Sequence, residues 1–195
     1  MYALEHAFNW TGVCFEPNAK LFRSVVEQRG RCHNVNGLIC SHNGLVHYVE
    51  FAPPYEQENG IVDFMDEYKQ KTVSSYPIER KTAYRCRNLE NEVWKQLGTR
   101  AIDVLSLDVE GSEVSVLSAI NLRELQIDVI LVEVSHEDEV KRLLTRDELY
   151  VHVAKIGDDN VFFRQGSVYM SHYREGCACL RVGECHFKLV YPAAG

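Results

Sequence analysis

One run of eight residues constrains the fold more than any other: Ile127–Val134 reads IDVILVEV, apolar with almost no alternation. A strand that alternates polar and apolar residues faces a single layer of core. A near-continuously apolar strand is covered on both faces, the condition of a parallel sheet between helices. Around this run, strand-like segments alternate with helical spacing. Gly12–Glu16 reads as a strand stopped at Pro17, and Asn18 can cap the helix that follows. Leu21, Phe22, Val25 and Val26 give that helix one apolar face, with Gly30 as its stop. Cys32–Val35, Leu45–Phe51 and Ile102–Leu107 are further strand candidates. Asn88–Leu97, Ser112–Ile120 and the charged His136–Leu144 have helical spacing. Tyr150–Lys155 and Asn160–Arg164 form an antiparallel pair across a Gly157-Asp158-Asp159 turn. Ala52–Tyr84, broken by Pro53, Pro54, Gly60 and Pro77, is a long irregular excursion of the kind that carries function or moves. The pattern predicts an α/β fold: a doubly wound, mostly parallel sheet with helices on both faces and one antiparallel strand near the C-terminus. Ile102–Leu107 and Ile127–Val134 should be adjacent and parallel.

At 195 residues the chain suits one domain, expected over residues 1–165, with 166–195 as a tail forming a hairpin packed on it. The formal charge of −7 argues against a nucleic-acid partner, which needs clustered Lys and Arg to neutralise phosphates. No apolar run approaches the ~18 residues of a membrane span, and Met1–Trp10 is amphipathic rather than leader-like. Seven cysteines form an odd set without framework spacing, which favours a reducing, cytoplasmic setting. The tail CACLRVGECH (Cys177–His186) lacks the paired C-x2-C geometry of a zinc site, so no metal centre is expected there.

Ligands of open α/β sheets sit outside the carboxyl ends of the strands, and there this sequence places carboxylates. Gly12–Glu16 ends in Glu16, Ile102–Leu107 runs into Asp108 and Glu110, and Ile127–Val134 carries Glu133. A carboxylate ending the first strand is the usual partner of a ribose diol, a device shared by nicotinamide and adenosyl cofactors. The competing reading makes Glu16 and Asp108 charges at helix N-termini. Of Glu110 and Glu113, one is expected to be functional and the other a capping carboxylate. Glu133 is equally well an ion-pair partner. His136 is the nearest candidate general base, and Tyr48 and Trp94 read as core.

Two segments carry a family resemblance. ALEHAFNWTGVCFEPNAKLF (Ala3–Phe22) and IDVLSLDVEGSEVSVLSAI (Ile102–Ile120) resemble the FkbM-type, or methyltransferase 21, family, with its EPN and D-x-E-G-x-E signatures. Weaker likeness runs in order through Tyr2–Gln165. The resemblance implies an S-adenosylmethionine-dependent methyltransferase on a Rossmann-like, class I methyltransferase sheet, acting on hydroxyl oxygens of small molecules or sugars. It also implies residue roles. Glu16 would bind the cofactor ribose, with Pro17 and Asn18 shaping the turn; Asn36 and Gly37 would lie beside the adenine; Asp108 and Glu110 would lie near the sulfonium and the acceptor. Those carboxylates would orient the acceptor hydroxyl or hold a divalent ion, Mg²⁺ or Ca²⁺ sooner than zinc.

The sequence departs from the family in one respect. Family members open the domain with a strand and a glycine-rich loop, roughly D-x-G-A-x-x-G. The twelve glycines here contain no G-x-G pair, and residue 1 falls where the following helix should be running. The resemblance therefore implies a sheet without its first strand in these residues, an N-terminally truncated domain. A second reading is a non-catalytic methyltransferase-like module that binds or scaffolds. A nicotinamide-dependent oxidoreductase is disfavoured, because its G-x-G-x-x-G is missing too.

Overall fold

A computed structural model describes residues 2–41, 44–133 and 137–178. After helix α1 (Tyr2–Phe8) come β1 (Gly12–Phe15), α2 (Ala19–Gln28) and β2 (Cys32–Val35). β3 (Leu45–Phe51), α3 (Glu67–Val73), β4 (Ile78–Arg85) and α4 (Leu89–Leu97) follow. The second half runs β5 (Ala101–Leu107), α5 (Glu113–Ser118), β6 (Gln126–Glu133), α6 (Glu137–Thr145), β7 (Tyr150–Ile156), β8 (Asp159–Arg164) and α7 (Val168–Ala178).

The local rules act where the sequence placed them. Asn18 caps α2 by accepting the Lys20 and Leu21 N–H groups at 2.9 and 3.1 Å, and Asn88 caps α4 by accepting from Asn91. α2 ends slightly before Gly30, with Arg29 as its C-cap. β6 is covered on both faces, as its composition requires. Ile127, Ile130 and Val132 belong to a core shared with Val116, Leu117, Val140, Leu144 and Phe162 from α5, α6 and β8. Val129 faces the opposite side and packs with Val161, Phe163 and Met170 of α7. Tyr150, buried in the larger core, donates its hydroxyl to the Ile127 carbonyl at 2.7 Å.

β5 and β6 are adjacent and parallel, with Leu105 opposite Ile130. β8 then pairs antiparallel with both β6 and β7, giving the order β5-β6-β8-β7. The expected single doubly wound sheet divides, among the described residues, into three hydrogen-bonded pieces. β1 and β2 form a separate parallel pair, and β3 and β4 a separate antiparallel one. The fold is mixed α/β.

The structure adds to these expectations at three places. Ala52–Tyr84 is more regular than its prolines suggest. It holds α3, capped by the Asp66 side chain, and β4, whose exposed charged residues hide a strand paired along one edge to β3. The described part of the tail forms α7, which Ser167 caps through the Met170 N–H and Met170 seats on the sheet; the hairpin expected of the tail falls largely on residues 179–195, which lie outside the described residues. Cys40 and Cys86 are joined in a buried disulfide, with their Cα atoms 5.5 Å apart. The β3–β4 hairpin supplies that proximity, returning Cys86 beside Cys40, whose N–H donates to the Arg87 carbonyl. Cysteine number and spacing did not point to this pairing. No described helix is long and apolar enough to cross a membrane.

Candidate functional site

Glu16 stands at the carboxyl end of β1, half-buried, its Oε1 accepting the Asn18 N–H at 2.8 Å. Burial pushes its carboxyl upward; the Asn18 bond opposes this, and the Glu50 charge adds to it. The turn beneath is tied down by two side chains. Asn36 donates from Nδ2 to the carbonyls of Glu16 and Pro17 at 2.8 and 3.1 Å. The Tyr84 hydroxyl donates to the same Pro17 carbonyl at 2.5 Å. Asn18 is buried (8% exposed) and spends its side chain on the α2 cap. Gly37 is packed against Arg87; a Cβ there would lie 2.7 Å from Arg87 Nε.

At the end of β5, Asp108 is exposed, and the loop behind it is shaped by Glu113. The Glu113 carboxylate is buried (5% exposed) and accepts the Val109 and Gly111 N–H groups at 3.1 Å each. Burial raises it, against the hydrogen bonds it accepts. Glu113 thus ties down the loop that precedes α5. Glu110 has a left-handed backbone (φ 53°) that turns its side chain toward α3. There Lys69 Nζ donates to Glu110 at 3.1 Å and to Glu58 at 2.5 Å. Burial raises Glu110 while Lys69 pulls it down. Glu133, exposed at the end of β6, is raised first by the Asp108 charge and then by burial.

The fold brings together one subset of the sequence-selected residues. Glu16, Pro17, Gly37, Asp108 and Glu110 all line one cavity of about 800 Å³. Asp108, Glu110, Glu133, Lys69 and Asp158 line a smaller one of about 200 Å³ beside it. Asn18 and Asn36 support the Glu16 turn from outside the lining. His136 lies outside the described residues. Tyr48, read as core, is buried and also lines the larger cavity, where burial and the Glu16 and Glu50 charges push its hydroxyl up. Lys69 was missed. It comes from the supposedly irregular excursion, 41 residues from Glu110, and no local pattern marks it. Among the described residues, no three or more His, Cys, Asp or Glu are grouped to hold a metal ion.

The comparison that decides the family covers most of this framework. The model described as the Methyltransferase FkbM domain matches residues 2–159, from α1 through the turn between β7 and β8. The chain belongs to the FkbM methyltransferase domain family. No curated protein and no solved structure matches it. The match takes in all three carboxylate-bearing strand ends of this FkbM domain.

Proposed function

We propose that this FkbM domain is an S-adenosylmethionine-dependent methyltransferase that acts on a hydroxyl oxygen of a small molecule or sugar. One observation carries the reading: Glu16 and Asp108, at the carboxyl ends of two different strands, line the same cavity. The donor set suits the cofactor. A carboxylate offers about four lone-pair directions and Asn18 takes one at Oε1, so Glu16 can still accept both hydroxyls of a ribose. The bound cofactor supplies an activated methyl group on a sulfonium. The chain's own residues orient the acceptor and receive its proton. Asp108, exposed at the rim, is placed to hold the acceptor hydroxyl. Glu110, raised by burial and steadied by Lys69, is the described carboxylate suited to take a proton. His136 remains a proposed base by sequence position; Pro17 would shape the turn at the ribose, and Gly37 the wall beside the adenine.

Isothermal titration of S-adenosylmethionine into the chain and into Glu16→Ala tests this. A charge-assisted hydrogen bond is worth about 1.5–3 kcal/mol, so the variant should bind about 10- to 100-fold more weakly. Binding indifferent to Glu16, or none to a chain extended upstream by the glycine-loop strand, would move the assignment to a methyltransferase-like scaffold.

A further inference from the structure

The ring of Tyr48 is packed as core. It is 5% exposed and sits among Leu38, Val46, Ile61 and Cys86. Its hydroxyl is a different matter. The side chain lines the larger cavity, and among the described residues none hydrogen-bonds to its Oη. Buried polar groups are normally hydrogen-bonded, and a buried phenol hydroxyl usually finds a partner. Tyr48 is therefore set for a partner that the described residues do not supply.

Its surroundings say which partner. Tyr48 meets Tyr84 edge to face, with 6.1 Å between ring centroids. The Tyr84 hydroxyl is already spent on the Pro17 carbonyl, so the pair of rings stands beside the turn that carries Glu16. From the other direction, Val49 of β3 exchanges both backbone hydrogen bonds with Gly60, at 2.9 and 3.1 Å. Gly60 in turn packs on Glu110, whose Cβ would lie 3.5 Å from a Cβ placed there. Tyr48 is thus held between Glu16 and Glu110. Burial first, and then the Glu16 and Glu50 charges, push its hydroxyl upward. It stays a neutral phenol, a donor and not a base. The same carboxylates repel an anion, so the atom it meets belongs to an uncharged group.

We propose that Tyr48 Oη donates a hydrogen bond to a ribose hydroxyl oxygen of the bound cofactor, on the same diol whose protons Glu16 accepts. The proposal rests on the cofactor reading above and adds to it a binding residue from the β3–β4 hairpin. A diol asks for both kinds of partner. Each hydroxyl has one proton to give and two lone pairs to fill. An ionised Glu16 only accepts, so it takes the protons and leaves the lone pairs unmet. Tyr48 supplies the donor. Reading the diol from two sides gives selectivity, because a nucleoside without the hydroxyl that Tyr48 bonds leaves the phenol unpaired in its pocket. The ring is fixed by its neighbours before any ligand arrives, so little side-chain freedom is lost on binding.

NMR shift titrations of the 195-residue chain with adenosine, 2′-deoxyadenosine and 3′-deoxyadenosine test this, with Tyr48→Phe beside wild type. The three nucleosides carry neither a sulfonium nor the methionine half, so the measurement does not depend on methyl transfer. Tyr48→Phe keeps the ring and should unfold in urea as wild type does, because its hydroxyl has no partner to lose. Adenosine should bind the variant about 2- to 10-fold more weakly, the loss of one neutral hydrogen bond. That penalty should vanish with one of the two deoxynucleosides. A penalty equal for all three would put the hydroxyl on the base and overturn the proposal. So would equal binding of adenosine to both proteins, or no binding to wild type. Lower stability of Tyr48→Phe would overturn it too, by revealing a partner within the chain. Adenosine binding that depends on Glu16 and not on Tyr48 would sink this proposal and leave the cofactor reading standing. The cofactor reading itself is decided by the S-adenosylmethionine titration described above.

Discussion

Lys69 Nζ lies 3.1 Å from the Glu110 carboxylate, while the stem of the same lysine crosses Gly111, where a Cβ would come within 3.3 Å of Lys69 Cγ. Gly111 has φ +93°, a conformation that side chains disfavour. The D-x-E-G turn and α3 are therefore fitted to each other, and the excursion from β3 to β4 holds the candidate site from one side.

Lys69→Met should expose the strength of that link. It leaves Glu58 and Glu110 without their shared cation, at a cost of about 1–3 kcal/mol near neutral pH. Burial already raises Glu110, and losing Lys69 raises it further. A carboxyl raised in the folded state binds more protons there than in the unfolded chain, so stability falls as pH rises through its titration. The deficit relative to wild type should be largest at pH 7–8 and shrink as pH drops toward 5. Melting temperatures of both proteins across that range check it; a deficit independent of pH would mean the lysine acts through packing alone.

Asp108→Asn should leave the fold intact, since Asp108 is exposed at a strand end. Unfolding in urea should agree with wild type within about 1 kcal/mol. Because the Asp108 charge is the leading reason Glu133 is raised, the Glu133 carboxyl should titrate lower in the variant, as read by carboxyl-carbon NMR. A variant that unfolds would make Asp108 structural.

Glu113→Ala should behave in the opposite way. It orphans the Val109 and Gly111 N–H groups and should cost about 1–3 kcal/mol. Glu113→Gln, which keeps an acceptor oxygen, should recover most of the loss in the same urea titration.

Removing the disulfide with Cys40→Ser and Cys86→Ser should destabilise the chain. The bridge spans 46 residues, and loop closure of that length corresponds to about 4 kcal/mol in the chain-entropy account. Wild type should melt lower in reductant, and the double variant should not respond to it. Insensitivity of wild type to reductant would show that the thiols are free.

What the sequence disclosed follows the range of the interactions involved. β6 was legible because burial on both faces leaves a continuous apolar run, and the α2 and α4 caps because Asn18 and Asn88 act on N–H groups two or three residues away. β4 was not, since Ile78–Arg85 is largely exposed and, among the described residues, pairs with β3 alone. Lys69 with Glu110, and Cys40 with Cys86, meet across more than forty residues, and nothing in either local segment encodes the encounter. Asn36 shows a subtler limit. The family resemblance puts it beside the adenine, whereas its amide nitrogen braces the carbonyls of Glu16 and Pro17, a task visible only once β1 and β2 are side by side.

The division of the sheet also bears on cooperativity. Glu16 ends a two-stranded unit and Asp108 borders a four-stranded one, with no ladder of hydrogen bonds between them among the described residues. Elements joined in this way open and close as separate foldons, the smaller at lower free energy. The span between the two carboxylates is then a thermally sampled quantity. A molecule touching both would fasten the small unit to the large one, and part of its intrinsic affinity would be spent on that ordering.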